Sequence, residues 1–226
     1  MNRVRPVSGG GRAVEVPPER LDGWFSRFAL RHGGVASTSV TPGSCLVTAV
    51  DGATAAVSVA FGEFTPAGEY EGLVIDALLA HASASRRIGL LLVRLGGHSI
   101  GVAQDGVVLV STTDSRQVHG RNKAGGWSQQ RFARRREGQA RVALQAAADD
   151  AARVLGPRVG ELDAVVLGGD RQALDVLRGD RRLGEVFALA SPRVLDVPEP
   201  RRAVLDEAAE RARAVEVVVR ETRGNS

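Results

Sequence analysis

The chain has 226 residues, 43% of them hydrophobic, with 30 basic side chains against 26 acidic ones. That supplies apolar material for one or two domains with a core, and it excludes fibrous, disulfide-rich and wholly disordered classes. The sequence pI near 10.4 overstates the basicity. The net charge is only +4 and Lys123 is the single lysine, so almost nothing titrates between histidine and arginine, and a small Arg excess stays charged to very high pH.

Residues 1–12 mix Arg with Gly and Pro, lack the apolar run of a signal peptide, and read as a disordered start. No stretch reaches the roughly 18–20 apolar residues of a membrane span, so a monomeric cytoplasmic protein with no membrane association is expected. Leu21, Trp24, Phe25, Phe28 and Ala29 recur at helical spacing between Pro17-Pro18 and Gly33-Gly34, which predicts a helix over 18–32. Leu46, Thr48 and Val50 alternate up to Asp51-Gly52, and Val57, Val59 and Phe61 alternate beyond it. This is a hairpin signature. Cys45, the lone cysteine, falls inside the first of these strands, where burial is the expected role. Tyr70, Leu73, Val74, Ala77, Leu78 and His81 mark a second helix. Residues 13–84 thus read as a small N-terminal α+β unit of helix, hairpin and helix.

From residue 85 to 222 a second domain is expected, with 223–226 as a tail. It opens on a three-strand meander at about 88–95, 98–104 and 106–112, punctuated by Gly96-Gly97 and Asp105-Gly106. A polar segment, 111–126, precedes a long helix from Ser128 to Leu155. Then come a strand at 164–167, a turn at Gly168-Gly169-Asp170, a helix to Arg178, a strand at 186–189 and a final helix over 201–219. Three antiparallel strands followed by αβαβα is the element order of an RNase H-like α/β layer fold.

The positive charge is concentrated. Residues 116–141 hold eight basic side chains against one acid, Glu137, a net of +7, whereas the other 200 residues hold 22 basic and 25 acidic, a net of −3. A polyanion is the natural partner of such a segment. Arg131, Arg134, Arg135 and Arg136 lie in the first turns of the predicted long helix, where the macrodipole already places partial positive charge. An anion bound across the segment and the helix start would reverse that penalty, since backbone N–H groups, dipole and guanidinium groups would all address phosphate.

Within this segment, His119-Gly120-Arg121 is followed by Gly125-Gly126, four further residues, and Arg131-Phe132-Ala133-Arg134-Arg135-Arg136. The run resembles the catalytic loop and following helix of the eukaryotic and archaeal class I translation termination factors. Trp127 stands where those factors carry the glutamine of Gly-Gly-Gln, and Gln129 and Gln130 follow. That departure resembles the VLRF family, release-factor-like peptidyl-tRNA hydrolases of ribosome quality control with a Gly-x-x-Gln loop, which Gly126-Trp127-Ser128-Gln129 fits. The resemblance is strongest over 116–141. The resemblance is to the short actinobacterial-type form; the Asn-Ile-Lys-Ser motif and the length of the stop-codon readers are not found here, which points to release that does not read a codon.

The resemblance implies codon-independent release of nascent chains from stalled ribosomes or large subunits, with rRNA and peptidyl-tRNA as partners and no cofactor or metal. It assigns Gln129, with Gln130 in reserve, to orient the hydrolytic water and stabilise charge at the ester. Gly125 and Gly126 would let the backbone approach RNA, and Arg121, Lys123, Trp127, Arg131, Arg134, Arg135 and Arg136 would contact it. From the residues alone, Gln129 reads as a solvated polar residue at a helix start, Ser128 as an N-cap, and His119 as a phosphate contact or a bystander. Two other functions would need a different chemistry. A two-metal nuclease would need converging carboxylates, yet Leu90-Leu91-Leu92-Val93-Arg94 contains none, and Asp170 reads as a helix cap. A non-catalytic ribosome- or RNA-binding module would use the arginines alone.

Overall fold

The computed structural model describes residues 3–58, 60–94, 96–115 and 127–222; for residue 115 and residues 127–137 it describes the backbone only. In chain order the elements are β1 (Val4–Pro6), β2 (Arg12–Val16), α1 (Leu21–Arg31), β3 (Val35–Thr41), β4 (Ser44–Ala49), β5 (Thr54–Ser58), β6 (Gly68–Glu71), α2 (Asp76–Ser83), β7 (Arg87–Arg94), β8 (Gly97–Gln104), β9 (Val107–Ser115), α3 (Trp127–Val154), β10 (Ala164–Gly169), α4 (Arg171–Arg178), α5 (Gly184–Ala188), β11 (Ala190–Leu195), α6 (Arg202–Arg213) and β12 (Val215–Arg220). The fold is mixed α/β with two sheets, and the chain divides into two compact units, Met1–Ser85 with Arg213–Ser226, and Arg86–Ala212.

The first unit is built on a seven-stranded antiparallel sheet in the order β1-β2-β12-β5-β4-β3-β6. Leu21, Phe25 and Phe28 of α1 and Leu78 and Ala82 of α2 share one core with Val16, Cys45, Val47, Val57 and Val217 of the sheet. Four expectations change here. The expected disordered start contains a strand, Val4–Pro6, paired with Arg12–Val14. Tyr70 belongs to β6, paired with Thr38, and not to a helix. The helix–hairpin–helix reading captured α1, the β4–β5 hairpin and α2 but missed the sheet around them. The final helix stops at Arg213, and Val215–Arg220 is a strand between β2 and β5. Four of the five residues after Ala214 are valines, whose β-branched side chains fit a pleated surface better than a helical turn.

The second unit has a five-stranded sheet, β11-β10-β7-β8-β9. Strands β7, β8 and β9 form the expected antiparallel meander, then β10 lies parallel to β7 and β11 parallel to β10. Asp105 and Gly106 both take positive φ, 51° and 88°, which suits the tight turn read from the sequence. One face of the sheet packs Ile100, Val102, Val165 and Leu167 against Ala147, Ala151 and Val154 of α3 and Leu174 and Leu177 of α4. Gly101, between Ile100 and Val102, faces the other way, and a Cβ there would stand 3.0 Å from Leu205 of α6. So α3 and α4 cover one face and α6 the other.

The strand expected at 186–189 is instead α5, with Val186 and Phe187 both buried, and the strand begins at Ala190. A short apolar run such as Val186 to Ala190 does not reveal its period by itself.

Candidate functional site

The long helix α3 is held by its C-terminal third. Among its described side chains the first buried one is Ala147, followed by Ala148, Ala151 and Val154. At 1.5 Å per residue the backbone from Trp127 to Ala147 covers roughly 30 Å. Its first turns carry, as helical backbone, the positions of Trp127, Gln129, Gln130, Arg131, Arg134, Arg135 and Arg136. The first four amides of such a helix have no intrahelical acceptor and lie at the positive end of the dipole. Arg121, Lys123, Gly125, Gly126 and His119 lie outside the described residues.

Helical periodicity sorts the described positions. Gln129 precedes Ala147 by eighteen residues, about five turns, so the two positions fall on one side of the helix. Positions 131, 134 and 135 fall on the opposite side, and position 130 about a quarter-turn from 129.

The sequence reading overlooked how α3 is fixed at its opposite end. His98, on β8 in register with Val93 and Asp114, is 2% exposed and stands in the row of Ile100 and Val102 that faces α3. Its Nε2 lies 2.8 Å from Asp150 Oδ2 of α3. Arg153 donates to Asp150 Oδ1 at 2.6 Å and to Thr112 Oγ1 of β9 at 3.2 Å, and the Thr112 hydroxyl donates to Asp150 at 3.5 Å. Burial pushes the Asp150 pKa up, but the hydrogen bonds from His98 and Arg153 outweigh it and hold the carboxyl below its ordinary value. Next to it, Asp149 is held low by hydrogen bonds from Arg182, 2.8 Å away, and Gln145. The sequence signal was a polar residue at an inward position of an otherwise apolar strand row.

The two carboxylates that flank β10, Asp163 and Asp170, both have structural roles. Asp170 caps α4, accepting the amides of Gln172 at 2.9 Å and Ala173 at 3.4 Å. Asp163 accepts the Arg87 amide at 2.7 Å, joining the starts of β7 and β10. Among the described residues no group of three His, Cys, Asp or Glu side chains is placed to hold a metal ion, and no helix is long and apolar enough to cross a membrane.

With that geometry in place, the family model of the Actinobacteria/chloroflexi VLRF1 release factor matches residues 86–218, more than half of the chain. The chain belongs to the VLRF1 release factor family. In this VLRF1 chain the match takes in the whole second unit, including the +7 segment, and runs through α6 into β12. Among solved structures, an archaeal translation termination factor, aRF1, is similar at 16% identity and a TM-score of 0.42, over 74% of this chain and 48% of that one. A Pelota protein of Archaeoglobus fulgidus is similar at 16% identity and a TM-score of 0.29, over 92% of this chain and 64% of that one. The VLRF1 chain therefore spans about half the length of the termination factor it matches. No curated protein matches it.

Proposed function

We propose that this release factor is a stop-codon-independent peptidyl-tRNA hydrolase that frees nascent chains from stalled ribosomes or dissociated large subunits. The observation that carries the reading is the family match over 86–218, which contains Gly126-Trp127-Ser128-Gln129, the last three of them at the head of α3. The reaction is addition of water to the ester carbonyl linking peptide to tRNA, with cleavage of the bond from that carbon to the ribose oxygen. The products are a peptide carboxylate and a tRNA hydroxyl. Gln129 supplies a neutral amide that orients the water and donates to the developing oxyanion, a task for preorganised hydrogen-bonding groups and not for a titrating base. Gln130 is the reserve.

Arg121, Lys123, Arg131, Arg134, Arg135 and Arg136 neutralise RNA phosphates, Trp127 stacks on an unpaired base, and Gly125 and Gly126 admit close backbone approach. The partners are the large ribosomal subunit, its rRNA and peptidyl-tRNA; the protein works as a cytoplasmic monomer without cofactor or metal. We read the five-stranded sheet, a meander continued by two parallel strands with helices on both faces, as an RNase H-like arrangement, and the second unit, Arg86–Ala212, as the catalytic domain in place of the 85–222 expected from the sequence. The test is single-turnover release of labelled peptide from large subunits carrying peptidyl-tRNA. Release by the purified protein supports the proposal; binding without release assigns it to an RNA-binding module.

A further inference from the structure

We propose that His98, acting through Asp150, is a positioning residue that sets the direction of α3 and so the place of the Gln129 end; the functional part of this inference rests on the hydrolase reading above. The face that α3 lays on the sheet is mostly alanine, Ala147, Ala148 and Ala151 being buried, with Val154 buried near its end and Leu144 packed at its margin. Small side chains permit close packing but offer little relief to resist rotation or sliding, because interlocking needs ridges and grooves. Directional hydrogen bonds to Asp150 supply what that surface lacks.

They come from two strands at once. His98 reaches Asp150 from β8, and Thr112 reaches it from β9, with Arg153 bonded to both Asp150 and Thr112. One carboxylate thus joins the helix to the strand that precedes it in the chain. A buried histidine with its hydrogen-bonded acid is a costly choice where Val or Leu would pack, since both groups lose water. Its return is angular definition. Asp150 and Gln129 are twenty-one residues apart, roughly 32 Å of helix, so a tilt of about 10° at Asp150 displaces the Gln129 position by about 5 Å. A reacting group misplaced by about 1 Å can cost about 10²-fold in rate, so a lever of this length needs a stiff fulcrum.

The experiment reads geometry and chemistry separately. Spin labels on cysteines placed at Leu109 and Val142, both exposed, report the distance between β9 and α3. His98→Leu should broaden the distribution relative to the wild-type background, and His98→Gln, which keeps a side-chain donor, should restore most of its sharpness. In single-turnover release, His98→Leu should slow the step about 10²-fold at saturating enzyme while changing affinity for large subunits less than twofold, with His98→Gln again recovering most of the rate. Thr112→Val, which removes only the β9 share, gives the same pattern in weaker form and keeps the test open should His98→Leu fail to fold. An unchanged distance distribution in folded His98→Leu overturns the positioning role, as does an unchanged release rate in a protein that releases peptide. If the wild type releases nothing but the distances respond as stated, the positioning of α3 stands and the hydrolase reading falls.

Discussion

Gly169 lies against Val93 so closely that a Cβ at Gly169 would stand 2.1 Å from the Val93 carbonyl oxygen, the same oxygen that accepts the Asp170 amide at 2.8 Å. Gly169 takes φ +99°, at the end of β10 where the chain leaves the sheet for α4. Both the conformation and the space demand glycine. Gly169→Ala should destabilise the second unit by about 3 kcal/mol, seen as a lower urea midpoint with an unchanged slope. A loss below about 1 kcal/mol would show that the turn relaxes freely.

Acid stability should depend on the anchor of α3. Asp150 is held below its ordinary value in the folded protein, so its contribution is present above the unfolded carboxyl pKa of about 3.9 and is lost as pH falls through the lower folded value. Asp51, bonded by the Ala53 amide and His32, and Asp180, bonded by Arg182, are lowered as well. Asp150→Asn should therefore flatten the acid limb of the stability curve without abolishing it, in urea titrations between pH 5 and pH 2. An acid limb identical to that of the wild type contradicts the linkage.

Cys45 is 1% exposed in the core of the first unit, and burial pushes its thiol up to about 11. The folded protein should leave a thiol reagent unreacted at pH 8 and consume one equivalent only after unfolding. Prompt reaction of the native protein would place Cys45 outside that core.

Much of the second unit was legible because its signals are local. Asp105-Gly106 announces a two-residue turn, Gly156-Pro157 follows α3, and Asp170 marks the start of α4. What was missed depends on partners distant in sequence. Strand β3 reads Val-Ala-Ser-Thr-Ser-Val-Thr and looks like a loop until β4 and β6 pair with it. Strand β12 is placed by β2 and β5, at the other end of the chain, and its valines were read as a continuation of an alanine-rich helix. For the site, the order of residues at the head of α3 pointed to the family, but the His98–Asp150 anchor joins residues fifty-two apart and shows only as a polar residue out of place in a strand.

The arginines should act through charge. Replacing Arg134, Arg135 and Arg136 by glutamate should weaken binding to large subunits and reduce the slope of log affinity against log salt by about two to three, the scale for three lost phosphate contacts. An unchanged slope would remove these side chains from the RNA interface.

The central claim rests on Gln129. In single-turnover release from large subunits carrying peptidyl-tRNA, Gln129→Ala should lower the rate by about 10²-fold or more while binding is retained, the scale for losing one preorganised donor to the transition state. Release by Gln129→Ala at the wild-type rate would contradict it.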